Sequence, residues 1–450
     1  MPSGYNSMPD DTRVVGPASW RERHGRIWRL AGPVILSNAT TPLLGAVDTA
    51  VVGRLPDPAL MGGVALGSLV FTFVFWAFGF LRMGTTGFTA QAAGAGNAAE
   101  LRASFLRALA LAGAIGFAIV LLQTPIRFLA FAFMHSSAAV KGYAENYYDV
   151  RVWSAPAALA NYAVLGWLLG TRRTPLALAI QVAMNGVNIA LAILFVLGLG
   201  WGIRGSAGAT LAAEILAALV GIALVFGRLP KAAIPDLFDR ERLWRLMRVN
   251  GDIMIRTLCL MAGFATFTLS SASLGDLPLA ANAILNNLMS ITAYGLDGFA
   301  MAAEILVGGA VGAGSRGQFR TAVRDSTIWA ALVALLGTSV FLLFGGFIID
   351  LFTIHEAVRA AARHYLPWLA AAPTVGVWCW QLDGIYIGAT RTAEMRNGML
   401  LALAGYLAVL AFLLPRLGNN GLWLSLMVFL VLRAATLGAW LPRIDRSLAA

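Results

Sequence analysis

The sequence predicts an all-α membrane protein, with twelve transmembrane helices in two parallel-repeat six-helix lobes, and three observations carry that expectation. Of 450 residues, 59% are hydrophobic and 12% charged, where a soluble domain carries about 25% charge; the mean hydropathy is +0.74. Apolar runs near or above the ~20 residues that cross ~30 Å of hydrocarbon recur along the whole chain. Finally, the chain repeats itself. Arg26-Ile-Trp-Arg-Leu30 returns as Arg242-Leu-Trp-Arg-Leu246, Pro156 as Pro373, Gly170-Thr-Arg-Arg as Gly388-Ala-Thr-Arg, and Gly94-Ala-Gly-Asn as Gly312-Ala-Gly-Ser, at offsets of 216, 217, 218 and 218. Six spans per copy is an even number, so both copies start on one side and are related by an axis along the membrane normal.

The first span, 30–52, follows Arg21, Arg23, Arg26 and Arg29 as a signal peptide would. It is longer than a secretory apolar region, holds Pro33 and Pro42, and lacks a small-residue cleavage site, so it stays as a helix. Spans 60–82, 103–122, 143–170, 175–199 and 204–227 complete the first lobe. Gly227 to Arg242, with Pro230, Pro235 and mixed charge, is the linker between copies. Spans 248–273, 279–310, 321–349, 358–390, 393–415 and 420–440 form the second lobe. Phe131–Val140 and Asp350–Val358 read as loops with short interfacial helices on the side away from the termini. The chain thus divides into a cytoplasmic tail 1–26, a first lobe 27–227, a cytoplasmic linker 228–243, a second lobe 244–440 and a cytoplasmic tail 441–450.

A net charge of +11 suggests nucleic acid until the basic residues are placed on this topology. Most of the Lys and Arg fall on the side of the termini, few on the other, and Arg82, Arg151, Arg256 and Arg433 lie at or within spans. This positive-inside bias places both termini in the cytoplasm, with anionic headgroups as the partners of the basic charge and no nucleic acid. Cys259 and Cys379 fall in spans without metal-ligand or redox spacing. The histidines, His24, His135, His355 and His364, sit in or near loops and read as solvated. Gly308 to Gly314 lacks the Lys-Ser/Thr of a nucleotide loop, and its small residues read as a close helix approach. No nucleophile with a base appears, so the chain is not read as an enzyme, and no cofactor or metal is expected.

Function should show in the acids inside the membrane, because a mid-bilayer carboxylate costs about 3 kcal/mol unless it meets a partner or water. Asp48 stands alone in the first span. It reads as a carboxyl that exchanges a proton, since desolvation disfavours its ionised form, or as a structural group held by neighbouring Asn or Thr. Asp252 and Arg256, four apart, read as a structural pair on one helical face. Tyr294, Asp297 and Glu304 share a face of the eighth span, as Asp383 and Tyr386 do on the tenth. If the two faces meet, three acids share a second-lobe pocket, suited to a cation or proton or closed as a hydrogen-bonded network.

These residues, with Leu81-Arg-Met-Gly-Thr-Thr-Gly-Phe-Thr-Ala-Gln91 and Ala293-Tyr-Gly-Leu-Asp-Gly-Phe-Ala300, resemble the multidrug and toxic compound extrusion (MATE) family, most of all its DinF subgroup, from about residue 24 to 440. The resemblance implies an antiporter in a bacterial inner membrane that exports organic, often cationic or amphipathic, compounds for inward H⁺ or Na⁺ by alternating access. Small organic substrates and membrane lipids are its expected partners, and a monomer its expected state. It also implies that Asp48 is the first-helix coupling acid and that the helix bends near Pro33. Asn188 and Thr210 are the matching positions of a first-lobe ion site, and Asn185, one turn before Asn188, is a further candidate for it. Ala192 departs from the pattern, because many relatives carry Asp there. One missing carboxylate weakens a Na⁺ site, whereas a proton needs only Asp48, so H⁺ is the expected coupling ion.

The alternatives are a Na⁺-coupled drug antiporter and a flippase for a lipid-linked precursor. The flippase calls for a basic central cavity. Within the spans acids outnumber the four arginines, which favours neutral or cationic amphipaths.

Overall fold

The computed structural model describes residues 19–132, 136–233, 237 and 239–448, without the side chains at 41–46, 48 and 49. By contacts the chain forms two units. The first holds Leu36–Leu246; the second holds Met247–Ala450 together with the preceding part of the first helix, up to Ile35. Among the described residues all regular structure is helical.

In the first unit lie the end of α1 (Trp20–Val52), α2 (Ala59–Ala77), α3 (Phe80–Gly94), α4 (Ala98–Leu121), α5 (Gln123–Ala132), α6 (Ala138–Arg151), α7 (Ala155–Gly170), α8 (Thr174–Ala192) and α9 (Gly202–Phe226). Several are pieces of one rod: α2 runs into α3, α6 into α7, and α8 continues as a wider turn over Ile193–Gly198. The α6–α7 join is a tight turn at Val152–Ser154. Pro156 stands at the start of α7; it has no N–H to give, and its ring would crowd the carbonyl four residues earlier. The linker packs on this unit: Arg102 and Arg107 donate to the carbonyls of Ala232 (2.9 Å) and Leu237 (3.2 Å), and Arg242 pairs with Glu100.

The second unit holds α10 (Arg240–Ser273) from Met247 on, α11 (Asp276–Gly312), α12 (Arg316–Phe352), α13 (Glu356–Gly388), α14 (Thr392–Leu417) and α15 (Asn419–Ser447). Phe267, Leu285, Leu369, Tyr406, Trp423 and Phe429 form its core. The start of α1, expected with the first lobe, belongs here. Trp28 meets Phe299 and Trp329 edge-on at 5.2 and 5.3 Å, Arg23 pairs with Asp325 at 3.1 Å, and Gly298 lies against Ala31 and Ile35. His24, expected in solvent, is buried and accepts a 2.8 Å hydrogen bond from Trp329 Nε1. Among the described residues ten helical rods are long and apolar enough to cross a membrane by that measure alone; with α1 and α13 they make two sets of six. Of the two stretches expected to carry short interfacial helices, the first meets only the end of α5 at Ala132 and the start of α6 at Ala138, and its residues 133–135 lie outside the described residues; the second carries none, because α12 runs to Phe352 and α13 begins at Glu356.

The repeated sequence signatures turn out to be backbone devices. Left-handed backbone occurs at Gly96 and Gly314, at Arg172 and Thr390, and at Gly200 and Gly418, each pair 218 residues apart. Gly96 lets α3 stop and Asn97 then caps α4 through Glu100 N–H (2.9 Å), as Gly314 and Ser315 do for α12 through Gln318 N–H (3.4 Å). Gly166 and Gly170 bring α7 onto α3: a Cβ there would lie 2.7 and 2.8 Å from the carbonyls of Arg82 and Thr86. Gly384 and Gly388 bring α13 still closer to α11, at the carbonyls of Ala300 and Glu304. Small residues one turn apart are what permit such approaches in a membrane.

Candidate functional site

Asp48, the expected first-lobe acid, has its side chain outside the described residues, on the C-terminal part of α1. Asn185 of α8 makes a polar contact with that part of α1, and further polar side chains lie buried on α8 and α9. Thr40 accepts a 2.9 Å hydrogen bond from Asn185 Nδ2 on α8, and Asn185 Oδ1 accepts from Gln181 at 3.4 Å. Asn188, one turn on, is 2% exposed and its Oδ1 has no hydrogen-bond partner; neither does Ser206 Oγ on α9. Thr210 hydrogen-bonds back to the Ser206 carbonyl at 3.2 Å. Ala192 is buried on α8. Asn185 and Asn188 are therefore both buried on α8, and Asn185 reaches α1. Pro33 is partly buried within an unbroken helical stretch.

A cleft of about 780 Å³ opens in the same unit, with Phe71, Phe75, Trp76, Tyr162 and Thr210 in its wall. Arg151 also lines it. Its guanidinium makes two 2.7 Å bonds to Glu214 of α9, donates to Ser154, and lies 5.4 and 5.5 Å from the ring centres of Phe71 and Phe75. Sequence reasoning placed Arg151 in a span but overlooked Glu214. The available signal was a lone acid and a lone base buried in two spans of one lobe, which in a membrane must be matched.

In the second unit the expected pair Asp252–Arg256 is not made. Asp252 accepts from Arg396 (2.6 Å) and Thr392 (3.0 Å) at the start of α14, while Arg256, one turn deeper, pairs with Asp383 on α13. An i,i+4 pair contributes only ~0.3 kcal/mol; in an interior, groups converging from other helices decide the pairing. Asp383 also accepts from Arg433 of α15 at 2.6 Å. The three acids expected to share a pocket stand in different settings. Tyr294 and Asp297 are exposed, Glu304 is buried where α11 meets α13, Asp383 is held by two guanidiniums, and Tyr386 donates to the Leu437 carbonyl at 2.7 Å. Arg433, 1% exposed, is the second partner that sequence reasoning missed. Among the described residues no cluster of three or more metal-ligating side chains occurs, and Cys259 and Cys379 are free and buried.

The MatE family model matches twice, at residues 33–194 and 253–413, once in each copy. DNA damage-inducible protein F of Escherichia coli K12 is 43% identical over 95% of this chain and 94% of its own length. A probable multidrug resistance protein NorM of Deinococcus radiodurans is 30% identical, over 91% of this chain and 93% of its own. Among solved structures, a MOP superfamily transporter from Pyrococcus furiosus Vc1 superposes with a TM-score of 0.84 at 20% identity, covering 94% of this chain and 96% of the other.

Proposed function

This chain belongs to the MatE family, and from that premise we propose that it exports organic cationic or amphipathic compounds by alternating access in exchange for protons. As a family member it is a multidrug efflux transporter and not an enzyme. Its coupling acid in this reading is Asp48. The observation that carries the choice of ion is the chemistry of the α8–α9 face. Asn185, Asn188, Ser206 and Thr210 offer neutral oxygens, and the place one turn beyond Asn188 is the buried methyl of Ala192. A hard cation wants several oxygens and enough negative charge among them; a proton needs one carboxylate. Export from proteoliposomes should therefore follow a pH gradient and be indifferent to Na⁺. Ala192→Asp should introduce Na⁺ dependence. Strong Na⁺ dependence of the unmodified protein would overturn proton coupling, and its loss on changing Asp297 or Asp383 would move the ion site to the second lobe.

The protein is an integral membrane protein, and in this reading it acts as a monomer in a bacterial inner membrane with both termini and the linker cytoplasmic. Pro235, at the centre of the linker, lies outside the described residues, so Lys231 is the better reporter. Lys231→Cys should resist an impermeant maleimide in intact cells and react once the cells are opened; the buried native cysteines give little background. Labelling in intact cells would put the second copy on the wrong side for a parallel repeat.

A further inference from the structure

Arg151 is the one charged side chain among the described residues lining the first-unit cleft. Glu214 is not part of that lining; it holds the guanidinium by both oxygens, and Ser154 takes a further N–H. Of five donors three are thus engaged. The cation is fixed in orientation before any ligand arrives, on a wall otherwise made of aromatic rings, methyls and hydroxyls.

The second lobe supplies an internal control. By the offsets of 217 and 218, the counterparts of Arg151 are Trp368 or Leu369, and those of Glu214 are Val431 or Leu432. The same fold therefore closes with apolar side chains at these places. A buried ion pair is no more stabilising than a well-packed apolar pair, so fold stability does not account for this one.

We propose that Arg151 makes the first-lobe cleft a recognition site for amphipaths that carry a carboxylate or sulfonate on an apolar body. This rests on the reading that the protein exports small organic compounds. The acid would meet the remaining N–H donors of a pre-oriented guanidinium, where charge-assisted hydrogen bonds are strong. Phe71, Phe75 and Trp76 would take the apolar body, and a bare ammonium beside Arg151 would be repelled. The acid excess read from the spans thus does not set the polarity of this cleft.

Three probes share one ring system and differ in charge: 2-naphthoate, 2-naphthalenemethanol and 2-naphthylmethylammonium. Calorimetry on the purified full-length protein should find the carboxylate bound about tenfold or more tighter than the ammonium. Arg151→Leu/Glu214→Leu puts apolar residues at both positions, as the sequence does in the other lobe, and leaves no unpaired charge; it should abolish that preference with little change for the alcohol. Should the double variant not fold, Arg151→Lys, which keeps the charge but not the fork, should weaken the carboxylate alone. Equal or tighter ammonium binding by the unmodified protein, or a preference that survives these substitutions, overturns the assignment. Arg151-dependent carboxylate binding without export of any probe supports the assignment and overturns the exporter reading. Export of the ammonium alone, untouched by the substitutions, does the reverse.

Discussion

Asp48→Asn is expected to insert and fold normally yet lose proton-driven export. The amide keeps the size and much of the hydrogen-bonding capacity of the acid, but it cannot take up and release a proton at any accessible pH. Asn185 and Asn188, the buried α8 groups that this reading assigns to the same site, are uncharged, and Asn185 bonds to Thr40 on α1 at 2.9 Å. Replacing a carboxylic acid by its amide therefore leaves no opposite charge behind on that face, so the stability effect should stay within ~1 kcal/mol. The transport effect should be large. Substrate uptake into inverted vesicles under an inward-acid gradient should fall by about tenfold or more, to the level of vesicles without the protein. Equal uptake by the variant would make Asp48 a structural acid and send the search for the proton carrier elsewhere.

The sequence made the repeat legible because its signatures are backbone necessities. Gly96 and Gly314 need left-handed backbone, and Gly170 and Gly388 stand where a side chain would strike a neighbouring helix. Such positions tolerate few residue types, so they keep their spacing in both copies. Helix limits followed from hydropathy: the expected span 279–310 lies within Asp276–Gly312. Less legible was how equivalent residues behave. Pro156 coincides with a break in its rod, while Pro373 sits inside an unbroken helix, because neighbouring packing, not the ring alone, decides whether the chain bends. Ion pairing was read worst. Spacing reports which side chains share a face of one helix, so Asp252 and Arg256 looked like partners. Their actual partners, Arg396 and Asp383, are more than a hundred residues away, and only the packing of α10 against α13, α14 and α15 brings them in. Glu214 and His24 escaped for the same reason.

That packing sets up the second large effect. Among the described residues Asp383 is the carboxylate that pairs with both Arg256 and Arg433, and each of the three is less than a tenth exposed. Asp383→Leu would leave two buried guanidiniums facing each other without a counterion. Breaking a buried pair from one side costs ~3–5 kcal/mol, and mutual repulsion adds to it, so thermal unfolding in detergent should move down by several degrees or the protein should fail to accumulate. Arg433→Leu removes one cation but leaves Asp383 with Arg256, and should be the milder change. The first lobe again indicates what the fold tolerates, since the positions 218 residues before Asp383 and Arg433 are Leu165 and Ile215. The triple variant Arg256→Leu/Asp383→Leu/Arg433→Leu removes every charge at once and should regain most of the lost stability. Its transport then separates two roles for the cluster. Normal proton-driven export by a stable triple variant would make the arginine-bracketed acid a structural rivet, whereas a stable protein with no export would make Asp383 part of the transport cycle. An Asp383→Leu protein as stable as the unmodified one would contradict the premise that these charges depend on one another.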